Sequence, residues 1–156
     1  MQNIKLNRYH IAIPIILILF CPIVLVSIKP HISPYIIAVP ANEPSLLSPV
    51  SPVFSRAPYF VIYDIKNNRA KYLVNNFMNG THEIGLHVTH LLLREQVGVV
   101  IGKNVGREPY EHLTRRGVKI YEGLAVNVQD ALYKYVNNAL IKTKGPTGFS
   151  KIFNAL

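Results

Sequence analysis

The chain has 156 residues, 49% of them hydrophobic, with 17 Lys and Arg against 8 Asp and Glu for a formal charge of +9. That length accommodates one domain and a short appendage, and a single cysteine, Cys21, excludes both a disulfide framework and a multi-thiolate metal centre. The cationic balance suits an anionic ligand or surface, yet no basic patch interleaved with aromatics is present, so nucleic acid is not an expected partner.

The appendage comes first. Residues 11–28 (IAIPIILILFCPIVLVSI) carry no charge and reach the length of a membrane-spanning helix, in which Pro14 and Pro22 are tolerated. A cleaved secretory leader is the competing reading, but the run exceeds the usual leader core and no small-x-small cleavage site follows it. Lys5 and Arg8 precede the run and Lys29 follows it, which directs the N-terminus to the cytoplasm and the domain to the extracytoplasmic or lumenal side. The expected organisation is a cytoplasmic segment 1–10, a single span 11–28, a linker 29–34, a domain 35–140 and a loosely ordered tail 141–156.

Within the domain, residues 35–39 (YIIAV) read as a buried strand ended by Pro40. Residues 41–56 are rich in proline and serine and read as a long loop, the kind that more often forms a functional rim than a mere connection. Strands at 59–65 and 69–75 flank the Lys66-Asn67-Asn68 turn and predict an antiparallel hairpin. Then follow a helix at 84–96, a strand at 98–102, a helix at 108–116, a strand at 119–121 and a helix at 128–140. A hairpin followed by helix–strand alternation predicts an α/β fold, a mixed sheet of about five strands flanked by about three helices.

Two constellations carry candidate chemistry. Glu83, His87, His90 and Arg94 fall on one stripe of the first helix. Two imidazoles and a carboxylate on neighbouring turns suit a first-row metal or the iron edge of a cluster. The same stripe also reads as the solvated face of an amphipathic helix. Gly102-Lys103-Asn104-Val105-Gly106 lies just past a strand, where open α/β sheets gather ligands. Its amides, with Lys103 and Asn104, suit an anion, although taken alone a tight strand-to-helix turn accounts for it better. Hydrolase and nuclease chemistry finds poor support: the domain shows no Ser-His-carboxylate motif, no reactive cysteine and no paired carboxylates, Asp64 being alone on the first three strands.

Four segments, in order, carry a family resemblance. They are Arg56-Ala57-Pro58-Tyr59-Phe60 after the Pro/Ser loop, Gly85-Leu86-His87-Val88-Thr89-His90-Leu91-Leu92, Val99-Val100-Ile101-Gly102-Lys103-Asn104-Val105-Gly106, and Gly117-Val118-Lys119-Ile120-Tyr121. Together they resemble the dinitrogenase iron-molybdenum cofactor biosynthesis family over residues 35–140. The resemblance implies a ribonuclease-H-like layered fold and a non-catalytic carrier or scaffold that holds an iron-sulfur or iron-molybdenum-type cluster, or iron, and exchanges it with a cofactor-donor or acceptor protein. In that reading His87 and His90 are ligands with Glu83 auxiliary, while Arg56, Lys103 and Asn104 hold the anionic cluster. His87 and His90 stand where the family commonly has Gln, Glu83 where it has Gly, and Val53 where it has His. The alternative is an interaction module that keeps the fold and has lost the cofactor.

Overall fold

The computed structural model describes residues 31–148. Its strands are β1 (Ser33–Ala41), β2 (Tyr59–Asp64), β3 (Arg69–Val74), β4 (Val97–Ile101), β5 (Lys119–Glu122) and β6 (Ile141–Lys142). Its helices are α1 (Ile84–Arg94), α2 (Arg107–Arg115) and α3 (Val128–Val136), with a 3-10 turn at Phe54–Arg56. The strands form one mixed sheet in the order β3-β2-β1-β4-β5-β6. β1, β4 and β5 run parallel; β2, β3 and β6 are antiparallel to their neighbours.

The two central strands are continuous apolar runs, and every residue of β4 is buried, the pattern of a parallel strand covered on both faces. Side-chain alternation along β2 divides the sheet's two cores. Phe60 and Ile62 point to a layer built with Phe54, Val88, Leu92 and Leu113, beneath α1 and α2. Val61 points to the opposite layer, with Ile37, Val39, Val99, Ile101, Val128 and Leu132, beneath α3. Phe54 and Phe60 meet edge to face at 5.3 Å.

Helix ends follow from local chemistry. The α2 helix closes in a Schellman arrangement: Gly117 is at φ 86, its N–H donates to Thr114 O, and Val118 N–H donates to Leu113 O. At the start of α3 the Asn127 side chain accepts the Asp130 N–H at 2.8 Å. The same helix stops at Val136, short of the expected residue 140, because Asn138 turns left-handed at φ 54. Gln96, at φ 60, similarly follows the end of α1 at Arg94.

Three further differences from the sequence expectation have physical causes. β1 continues through Pro40 to Ala41; Pro40 lies beyond Ala38 and Val100, the last register partners of β1 and β4, and pairs with Phe60 on β2. The sheet has six strands where about five were expected, since Ile141–Lys142 adds an edge strand. The tail then continues to the turn after β4: Thr147 and Gly148 donate their N–H groups to Val105 O at 2.9 and 3.1 Å, and Thr147 Oγ accepts the Val105 N–H. The membrane placement is also corrected, since among the described residues no helix is long and apolar enough to cross a membrane. The run 11–28 that suggested a single span lies outside the described residues, and a single-pass protein with an extracytoplasmic or lumenal domain is withdrawn.

Close approach of β1 and β4 depends on Gly98. A Cβ there would lie 2.2 Å from Ser33 O, a backbone atom that cannot swing aside, next to the register irregularity between Ser33 and Ile37. Gly98→Ala is therefore expected to lower stability by about 1–3 kcal/mol, the range of overpacked cores. Gly145→Ala, with nothing within 4 Å of the added carbon, is expected to stay within about 0.5 kcal/mol. Chemical denaturation of the two variants beside the parent checks both.

Candidate functional site

The carboxyl ends of β1, β4 and β5 lie at one edge of the sheet, the position where open α/β sheets bind ligands. Four loops border that edge: residues 42–58, 75–83, 102–106 and 123–127. The first two are tied together by side chains reaching for backbone. Arg56 Nη1 donates to Met78 O at 2.8 Å and to Gly80 O at 3.1 Å. Asn75, only 2% exposed, donates Nδ2 to Ser55 O and Ala57 O and accepts the Phe77 N–H on Oδ1. The Arg56 guanidinium is thus engaged in closing the loops.

The turn after β4 is held from two sides. Asn104 is left-handed at φ 49 and donates Nδ2 to Pro52 O at 2.7 Å. Thr147 and Gly148 grip Val105 from the other side. Between these anchors Lys103 is half-buried, and Arg107, the first residue of α2, is exposed.

Two helices begin here side by side. Where a Gly85 Cβ would project, Glu108 Oε2 and Pro109 Cδ stand 2.6 and 2.7 Å away, so the first turns of α1 and α2 touch. No protein partner among the described residues is present for the leading amides of α1 (Ile84, Gly85, Leu86) or of α2 (Arg107, Glu108). α3 differs: Ser48 O accepts the Val128 N–H at 3.0 Å, Leu46 O accepts the Gln129 N–H at 2.9 Å, and the Asn127 cap takes Asp130. The positive ends of α1 and α2 are therefore the ones available to an anion.

The histidine stripe divides between two places. His87 stacks its ring on Phe77, with centroids 4.6 Å apart and planes 9° from parallel, beside the α1 N-terminus. Glu83 precedes the helix in the left-handed region at φ 51, and its side chain caps nothing. His90 instead lines a depression of about 190 Å³ with Leu93, Arg94 and Arg116, toward the other end of α1. Among the described residues no three His, Cys, Asp or Glu side chains converge to hold a metal ion, and Cys21 lies outside those residues. Glu83, just before α1, and His87 and His90 on it thus form no three-ligand centre.

Sequence reasoning missed Asn75 and the Thr147–Gly148 clamp. Asn75 was legible only as a polar residue ending a strand; nothing in its neighbours announces two carbonyls 18 and 20 positions earlier. Groups with displaced pKa values lie elsewhere. The Lys134 ammonium and the Val126 N–H hold the Asp130 carboxyl below its ordinary range, and bonds from Asn67 do the same for Asp64. Burial, with Tyr121 nearby, raises the Tyr135 phenol.

A mixed six-stranded sheet with two open helix N-termini at its carboxyl edge defines a small layered α/β domain. The chain belongs to the dinitrogenase iron-molybdenum cofactor family, whose model matches residues 34–138. It is similar to the apo form of the orange protein from Desulfovibrio gigas, at 28% identity and a TM-score of 0.70 over 74% of this chain and 97% of that one. It is also similar to a proposed NifB protein from Thermotoga, at 32% identity and a TM-score of 0.64 over 69% of this chain and 92% of that one. A proposed dinitrogenase from Methanocaldococcus jannaschii, at 21% identity and a TM-score of 0.55 over 71% of this chain and 96% of that one, shares the fold. No curated protein matches the chain. Family and neighbours make this a small cofactor-related protein.

Two outcomes are expected from the edge's construction. Asn75→Ala leaves Ser55 O and Ala57 O without their donor and should lower stability by about 1–3 kcal/mol, with faster proteolysis between residues 75 and 83 as the local readout. Asp130 has its folded pKa below its unfolded one, so its contribution is present above the ordinary carboxylate pKa and is lost as pH falls through the folded value. Acid titration of unfolding should show that loss in the parent and a flatter response in Asp130→Asn.

Proposed function

We propose that this protein is a non-catalytic carrier or scaffold for a preformed anionic metal cluster of iron-sulfur or iron-molybdenum type, received from a donor protein and passed to an acceptor. The observation that carries this reading is the pair of adjoining helix N-termini, α1 and α2, whose leading amides have no protein partner among the described residues. Such a site favours negative charge through oriented N–H groups, and Lys103 and Arg107 add cations beside it. The donor set fits a cargo held by charge and amides. It does not fit a cluster ligated by the described chain, which offers no thiolate and no three-ligand group.

In this arrangement Lys103 and Arg107 balance the cargo's charge. His87, set on Phe77 beside the first turn of α1, is an imidazole at hand for such a cargo, with Glu83 auxiliary. Arg56 and Asn104 position the loops and the turn rather than contact the cluster. Free ferrous iron is the poorer cargo, because Glu83 and His87 alone are too few ligands for a tight site. A second reading, an interaction module of the same fold, draws on Leu124 and Val126. Both side chains are 80% exposed on a loop pinned by Lys134 Nζ to Leu124 O and by Val126 N–H to Asp130.

The full chain, purified without oxygen, is titrated with ferrous iron and separately with a preformed iron-sulfur cluster, following absorbance and bound metal. The expected result is one cluster per chain, with affinity roughly tenfold weaker in Lys103→Gln/Arg107→Gln, the scale of a lost charge-assisted contact. His87→Ala should weaken the cluster less than the double variant does. If the intact chain takes up no cluster, the carrier reading is wrong and the interaction module stands.

A further inference from the structure

We infer a second anion site, independent of the cluster reading, at the far ends of the same two helices: the depression lined by His90, Leu93, Arg94 and Arg116 docks a glutamate side chain from an acidic segment of a partner protein. Arg94 is the last residue of α1 and Arg116 the C-cap of α2, so two different elements bring both arginines to one concavity. Both arginines and His90 are exposed, and Leu93 is buried beneath them.

Among the described residues neither arginine pairs with a carboxylate. The acids nearest in sequence are already engaged: Glu95 with Lys71 at 2.7 Å, and Glu111 with Arg115 at 3.0 Å. Asp130 pairs with Lys134. The residues outside 31–148 contain no Asp or Glu, so they can supply no side-chain partner either. A cation at a helix C-terminus complements the dipole, which accounts for one arginine on each helix. It does not account for a concavity that also contains an imidazole and an apolar floor.

The chemistry of the lining selects the occupant. Paired guanidiniums present forks that match a carboxylate bidentately, and Leu93 offers apolar contact to the methylenes that precede it. At about 190 Å³ the depression is smaller than the roughly 300–1,000 Å³ of pockets that enclose whole small molecules. It suits one side chain of a docking segment. The chain's +9 charge steers an acidic partner toward it.

The probe is a short peptide of alternating Glu and Gly, titrated into the isotopically labelled full chain and into Arg94→Gln/Arg116→Gln, with thermal unfolding run on both to establish that the fold is retained. Expected are shifts of the arginine side-chain signals and of Leu93 on peptide addition. Affinity should fall by at least about tenfold in the double variant, as for a lost bidentate pair, and by less in Arg94→Lys/Arg116→Lys. The inference is overturned if the peptide does not bind, or binds the Gln variant as tightly as the parent. It is overturned equally if inorganic phosphate or a single-stranded oligonucleotide shifts the same signals at lower concentration. Cluster uptake in the double variant should match the parent, which separates this site from the cargo edge.

Discussion

Two strands that are apolar on both faces, β1 and β4, must be covered on both sides, and the rest of the molecule is arranged around that requirement. Parallel pairing of β1, β4 and β5 sends each connection back across a face of the sheet, so α1 and α2 cover one side and α3 the other. The parallel strands end at one edge, and the helices that follow start there. Paired helix N-termini at that edge are therefore a consequence of how the core is closed. The close β1–β4 contact at Gly98 is where this geometry is most tightly determined.

Helix N-termini left without protein partners must be met by water or a ligand, and the chain treats its three helices differently. It spends the 42–50 loop on α3, with Ser48 O and Leu46 O taking that helix's leading amides. Comparable loops at the cargo edge are turned elsewhere. Arg56 and Asn75 stitch the loops to each other through carbonyls, and Asn104 is bonded to Pro52. The result is an edge whose loops are cross-linked by hydrogen bonds while the α1 and α2 amides remain uncovered among the described residues. Such preorganisation suits a cargo that must be received and released, since little reorganisation accompanies either step.

Local patterns in the sequence were sufficient for much of this. The apolar runs of β1 and β4, the Lys66-Asn67-Asn68 turn and the four family segments make the sheet, the hairpin and the family legible in the sequence. Long-range decisions were not. Asn75 acquires its meaning from carbonyls in another loop, and Thr147 from a turn 42 positions away. Pro40 reads as a strand terminator because the sequence does not reveal where β4 stops pairing. Helix periodicity placed Glu83, His87, His90 and Arg94 on one stripe, but periodicity says nothing of what each residue meets beyond the helix. Phe77, from the preceding loop, takes the His87 ring, while His90 shares a depression with Arg116 from α2.

That separation changes how the basic character of the chain is understood. A histidine stripe acting as one metal site would concentrate its chemistry at a single point on α1. The structure instead distributes it over the two poles of an α1–α2 layer. At the N-terminal pole the dipoles, Lys103 and Arg107 favour an anion, against the carboxylates of Glu83 and of Glu108 in the first turn of α2. At the C-terminal pole the dipoles oppose one, and attraction must come from the two guanidiniums alone. A compact, highly charged cluster suits the first pole, where backbone amides can surround it. A side-chain carboxylate suits the second, where two planar forks can grip it without help from the backbone. On the proposed readings, the same helix pair serves a cargo at one pole and a protein partner at the other, with the buried stripe of Val88 and Leu92 lying between them.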